Sequence, residues 1–205
     1  MNFELIDNLL QIVVLLSAAG VSAVLALLRR SRPFFILALA YACFAMGTLY
    51  YVLYLAIIGT VPQVFYVAEI SWLASWLFFL SYQILRTPKL RFSWSATICA
   101  VLLAVFAGVE HIFGPSAFMI AAFALTAGVV VYLSVFRLQT VRESRKTDGI
   151  LAASAILQVV LYFVSELFKD YTHFNAYFAV DIALTLCLTA LLPLTLQEVK
   201  CRDIH

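Results

Sequence analysis

The chain has 205 residues, 65% of them hydrophobic and 12% charged, with a formal net charge of +2. A soluble domain is about half apolar and about a quarter charged, so this composition excludes an ordinary water-soluble fold and requires lipid as part of the solvent. The 17 Phe and 10 Tyr residues suit helix packing and interfacial belts, and the alternating pattern of a transmembrane barrel is absent.

A spanning helix needs roughly 20 mostly apolar residues. Seven such runs are predicted, at 6–28, 34–58, 62–86, 94–113, 115–137, 149–168 and 173–197. The expected fold is all-α: one polytopic transmembrane domain over residues 1–205, with no room for a soluble domain. Glu4 and Asp7 precede the first run, and the basic cluster Arg29, Arg30 and Arg32 follows it. That order suits an N-out anchor rather than a cleaved signal peptide. Pro33, Pro62 and Pro115 fall at or near helix starts, where a missing N–H costs little. Pro88 follows the third run, Asp148-Gly149 opens the sixth, and Pro193 lies inside the seventh, where it predicts a kink.

Basic residues beside spanning segments stay on the cytoplasmic side. With odd-to-even connections inside, the inner loops and tail hold 12 of the 13 Lys and Arg residues and only Lys169 falls outside. This segregation supports both the helix count and the orientation, N-terminus out and C-terminus in. The expected location is a bacterial cytoplasmic membrane. Topology and anionic lipid account for the basic loops, so no nucleic-acid partner is expected. The third inner loop, Arg137 to Gly149, and the tail from Glu198 are the places where a cytoplasmic partner would dock. A homo-oligomer is equally open.

A shift of 112 residues lays the second and third runs on the sixth and seventh without a gap. It aligns Glu69 with Asp181, Tyr50 with Tyr162, and Phe65-Tyr66 with Tyr177-Phe178. Only six of 36 positions match between 50–85 and 162–197, so the aligned acids and aromatic pairs carry the repeat. Two parallel triplets joined by a linker helix would give seven spans, and internal repeats of this kind recur in transporters. This three-one-three plan resembles the architecture of SWEET-type sugar transporters, nicotinamide riboside transporters and microbial rhodopsins. The Pro62-Gln63 pair is similar to that of PQ-loop proteins but stands before the third helix. Trp72 and Trp76 are four apart rather than three. A retinal Schiff base needs a lysine inside the last helix, and Lys89, Lys146, Lys169 and Lys200 all lie in loops or at helix ends.

An ionised carboxylate in mid-membrane costs roughly 2.5–3.5 kcal/mol. Glu69 and Asp181 are the two deepest acids, each expected two turns in from the outer helix end and without a buried base in reach. Each belongs to a helical stripe. Glu69, Trp72, Trp76 and Gln83 share a face of the third helix, and Gln158, Tyr162 and Glu166 share one on the sixth, with Ser165 beside them. Tyr177, Asp181, Thr185 and Thr189 do so on the seventh, and Tyr50 and Tyr54 on the second. Turned inward, these stripes predict an outward-opening acidic and aromatic ligand pocket that favours a cation, a polar solute or a proton. The same residues also serve as interhelical glue worth about 0.6 kcal/mol each, and the tryptophans as packing. Glu110 and His111 are expected at the interface.

Zinc-protease, serine-hydrolase and dinucleotide signatures are absent. His111, His173 and His205 are dispersed, and Cys43, Cys99, Cys187 and Cys201 have no paired spacing. No metal, cofactor or disulfide is therefore expected. Three functions stand open: a small-solute transporter or solute-binding protein, a sensory receptor acting through a cytoplasmic partner, and a carboxylate-based intramembrane hydrolase.

Overall fold

The computed structural model describes residues 3–59, 66–87, 89, 91–109, 117–168 and 170–204. Pro62, Gln63, Phe65, Pro88, Glu110, His111, Pro115, Lys169 and His205 lie outside the described residues. The described chain forms seven helices: α1 (Phe3–Arg29), α2 (Arg32–Ile58), α3 (Tyr66–Arg86), α4 (Trp94–Val109), α5 (Ala117–Thr140), α6 (Arg145–Leu167) and α7 (Ala176–Ile204).

Five of them, α1, α2, α5, α6 and α7, are long and apolar enough to cross a membrane. They make the protein membrane-integral. The other two are apolar but differ in kind. α3 mixes Glu69, Ser71, Ser75, Ser81 and Gln83 into its run. α4 has 16 described residues, about 24 Å of helix at 1.5 Å per residue. The outward faces carry large apolar side chains, with Leu27 81%, Phe118 78%, Ile57 76% and Leu125 69% exposed. Side chains of that size, exposed all round a bundle, need hydrocarbon rather than water.

Local signals set several boundaries. α2 starts after Ser31 in extended conformation, with Pro33 in its first turn. It ends at Gly59, whose φ of 76° is the left-handed cap geometry and whose N–H reaches the Leu55 carbonyl at 3.0 Å. A side chain is disfavoured in that conformation, so glycine suits the stop.

Two expectations are corrected at the other end of the bundle. α5 continues to Thr140 and α6 begins at Arg145, a turn earlier than predicted. The supposed long loop from Arg137 to Gly149 shrinks to residues 141–144. Arg137 belongs to α5, and Asp148 to the first turn of α6, where a negative charge favours the helix dipole. Similarly, α7 runs through Pro193 and beyond Glu198, so the tail is helix rather than a free segment.

The helices close a ring in the order α1, α2, α3, α5, α6, α7 and back to α1, while α4 lies outside it against α5. Small residues let α4 approach. A Cβ added to Gly128 would stand 3.2 Å from the Ala104 Cβ and 3.3 Å from the Ala100 carbonyl. Close backbone approach over small residues is the usual way membrane helices pack. Inside the ring, Tyr41, Trp76, Phe79, Tyr82 and Leu188 are fully buried. The Tyr41 hydroxyl donates to the Leu188 carbonyl at 2.8 Å, tying α2 to α7. This packed layer separates two polar regions at opposite ends of the bundle.

Candidate functional site

The first polar region is a cavity of about 370 Å³ at the end of the bundle where α1 begins. Glu69, Trp72, Gln158, Tyr162, Glu166 and Asp181 all line it. Sequence stripes on α3, α6 and α7 therefore converge as expected. Asp181 is only 4% exposed and Gln158 3%; Glu69 is half-buried and Glu166 exposed. Glu69 falls in the first turn of α3, closer to the helix end than expected.

Four expected residues, Tyr50, Tyr54, Trp76 and Thr185, are not in the cavity lining. Tyr50 and Tyr54 pair with each other, ring centroids 6.1 Å apart, and neither lines the cavity; the adjacent Tyr51 does. A rotation of about 100° per residue separates these choices, and an aromatic run in α2 offers no polar landmark to decide between them. Trp76 is fully buried behind the wall, with its ring edge-on to Phe79 at 5.5 Å and Phe123 at 5.9 Å. Phe123 in turn meets Tyr162 at 5.3 Å, so these rings form the cavity floor.

α1 contributes more than its sequence suggested. Glu4, Asn8 and Gln11 line the cavity, and Asp7 is buried beside it at 5% exposure. Gln11 Nε2 donates to Asp181 Oδ1 at 2.9 Å and to Thr185 Oγ1 at 3.1 Å. The Thr48 hydroxyl donates to Gln11 Oε1 at 2.7 Å. Thr185 is thus a brace for Gln11 rather than a member of the wall. Tyr51 hydrogen-bonds Glu4 at the mouth. A missed signal existed: Asp7 and Gln11 are four apart, one polar stripe at the start of an apolar run.

Above the mouth, the α6–α7 loop is braced by its own hydrogen bonds. The Thr172 hydroxyl and N–H donate to Asp170 at 2.6 and 3.0 Å and hold its carboxyl below the usual carboxylate range. The Tyr171 carbonyl accepts from the Glu4 N–H at 3.4 Å.

Several polar atoms of the wall have no partner among the described residues: Glu69 Oε2, Gln158 Oε1 and Trp72 Nε1. Such groups are uncommon, since burying one unsatisfied costs about 1–3 kcal/mol. Glu69 and Gln158 thus bring spare acceptors to the cavity wall, which suits a small ligand with N–H groups, whereas Trp72 Nε1 lies toward Gly47 of α2. No Lys, Arg or His is among the described residues that line the cavity, while Glu4, Glu69, Glu166 and Asp181 are. Among the described residues, no cluster of three metal-ligating side chains exists.

Trp72 is held in place by Gly47 of α2. A Cβ at Gly47 would meet Trp72 Nε1 at 2.7 Å and the Ala68 carbonyl at 3.0 Å. Gly47→Ala should therefore push the indole out of its seat at a cost of about 1–3 kcal/mol. A shifted tryptophan emission spectrum, with helicity retained, is the expected reading; an unchanged spectrum and thermal midpoint would contradict it.

The second polar region lies at the far end and was not foreseen as a site. Arg86 from α3, Arg137 from α5, Asp148 from α6 and Glu198 from α7 are each at most 6% exposed. Asp148 takes Arg86 Nη1 at 3.0 Å and Arg137 Nε at 3.1 Å. It also accepts from Gln83 at 3.1 Å and Ser144 at 2.7 Å. Arg86 pairs with Glu198 as well, and Arg137 approaches it at 3.6 Å. Arg137 also donates to the Arg86 carbonyl, and Tyr82 meets Thr195 at 2.6 Å. So two of the basic residues assigned to inner loops are buried ion partners, and Gln83 belongs here rather than to the ligand stripe. Buried bases do exist, but Arg86 is 17 residues from Glu69, about 25 Å along α3.

Comparison with family models, with curated proteins and with solved structures gives no match. The functional reading therefore rests on the two polar regions themselves.

Proposed function

We propose that this protein is a seven-span membrane transporter or binding protein for a small organic cation, which enters the cavity from the outer side. The observation that carries this reading is the cavity wall: among the described residues it has four carboxylates and no basic side chain, with Glu69 Oε2 and Gln158 Oε1 left without partners there. An ammonium group satisfies both acceptors and offsets the charge, while Trp72 adds cation–π attraction to a cation over its face. The distribution of Lys and Arg supports N-out, C-in in a bacterial cytoplasmic membrane, so the mouth faces outward. The ring order supports the three-one-three plan. α3 stands opposite α7 in it, and α4 is left outside as the linker. The far-end ion cluster and the packed layer close the inner side.

The test is thermal protection of the purified protein by a panel of organic ammonium ions beside their neutral isosteres. Ammonium compounds should raise the midpoint and neutral isosteres should not. Equal protection by both, or by neither, would overturn the cation reading.

A further inference from the structure

Two glutamines line the cavity, and the structure uses them differently. Gln11 is spent: its Nε2 donates to Asp181 and Thr185, and its Oε1 accepts from Thr48. Gln158 is 3% exposed, yet its Oε1 has no partner among the described residues. It shares the lining face of α6 with Leu161, Tyr162 and Ser165, at three-, four- and seven-residue spacing. A buried carbonyl acceptor left open is costly, and a carboxylate attracts a bare charge better than it does. What it recognises is an N–H. A quaternary ammonium has none, and would cover Gln158 Oε1 and Glu69 Oε2 while leaving both unsatisfied. A site built to hydrogen-bond a group rejects the analogue that lacks it.

Much of the remaining wall is apolar. Phe44, Leu73, Ile120, Phe123 and Leu161 line the same space. Phe123 is fixed by perpendicular ring contacts to Trp76 at 5.9 Å and to Tyr162 at 5.3 Å. An ammonium ion alone, no larger than a water molecule, would fill a small part of about 370 Å³ and leave these side chains facing water. An apolar body attached to it would cover them.

We infer that the ligand is an amine in its ammonium form that keeps at least one N–H and carries an aromatic or other apolar body, and that Gln158 selects for the N–H. This inference rests on the cation reading of the cavity.

The experiment uses the full chain in lipid nanodiscs and measures Kd by calorimetry. The probes are phenethylammonium, its N,N,N-trimethyl analogue, methylammonium and neutral 2-phenylethanol. Phenethylammonium should bind at least about tenfold more tightly than each of the others, the value of one unmade hydrogen bond to a buried acceptor. Gln158→Leu, or Gln158→Met, which keeps the side-chain length, should weaken phenethylammonium about tenfold and leave the trimethyl analogue nearly unchanged. Steric rejection of the three methyl groups would instead survive both substitutions. Equal affinity for phenethylammonium and its trimethyl analogue, or a preference that the variants retain, would overturn the N–H selection and leave the cation reading standing. Methylammonium binding as tightly as phenethylammonium would overturn the apolar body. Equal binding of 2-phenylethanol, or failure of every probe to bind, would overturn the cation reading and this inference with it.

Discussion

Replacing Asp148 by alanine should cost this protein more stability than any other single change at the far end of the bundle. Asp148 is fully buried and accepts from Arg86, Arg137, Gln83 and Ser144 at 2.7–3.1 Å. Three helices, α3, α5 and α6, meet through these contacts. Removing one partner of a buried ion pair costs about 3–5 kcal/mol, because a charge is left without its counterpart. Here two guanidinium groups would share Glu198 alone. For a chain of this size the thermal midpoint should fall by on the order of 10 °C, read by size-exclusion chromatography after heating in detergent. Asp148→Asn should fall in the same direction, since it keeps the shape and drops the charge. Arg145→Ala is the matched control: its side chain is exposed, and a surface change of this kind stays within about 0.5 kcal/mol. A midpoint for Asp148→Ala equal to the control would show that the cluster contributes nothing to stability.

Glu69→Gln should do the reverse: leave the fold intact and remove binding. Glu69 Oε2 has no partner among the described residues, so its replacement breaks no hydrogen bond of that atom with them. Losing one side of a buried, hydrogen-bonded charge pair costs about 2–5 kcal/mol of binding, or roughly 30-fold and upward in Kd. Uptake of phenethylammonium into proteoliposomes should fall accordingly, with the thermal midpoint of the unliganded protein unchanged. Full uptake by Glu69→Gln would remove this residue from the site. The two carboxylates thus separate cleanly: Asp148 is measured by stability and Glu69 by binding.

The helices were legible because lipid demands long apolar runs, and all seven predicted runs overlap observed helices. The convergence of Glu69, Gln158, Tyr162 and Asp181 on one cavity was legible too, since a polar stripe in an apolar helix must turn inward. What escaped were charges at helix ends. Arg86, Arg137, Asp148 and Glu198 each stand within a turn or two of a predicted boundary, where an isolated charge ordinarily meets water or headgroups. Only their meeting in space lets all four be buried, and pairing is invisible to hydropathy. One clue was present: Arg86 and Glu198 carry opposite charges and are 112 residues apart, the interval at which Glu69 aligns with Asp181. Asp7 escaped for the same reason, standing at the start of α1. Tyr50 and Tyr54 were misplaced because neighbouring tyrosines leave the rotation of α2 undetermined.

The four charges of the far-end cluster sum to zero, while the acids of the cavity have no basic neighbour among its lining residues. An electric field acts differently on the two. Moving one elementary charge across a membrane potential is worth about 2.3 kcal/mol per 100 mV, but a neutral cluster that shifts as a unit does almost no electrical work. In a spanning orientation, voltage would therefore leave that cluster nearly untouched and act on any charge held in the cavity around Glu69. Any electrical sensitivity of this protein should follow the occupancy of its cavity.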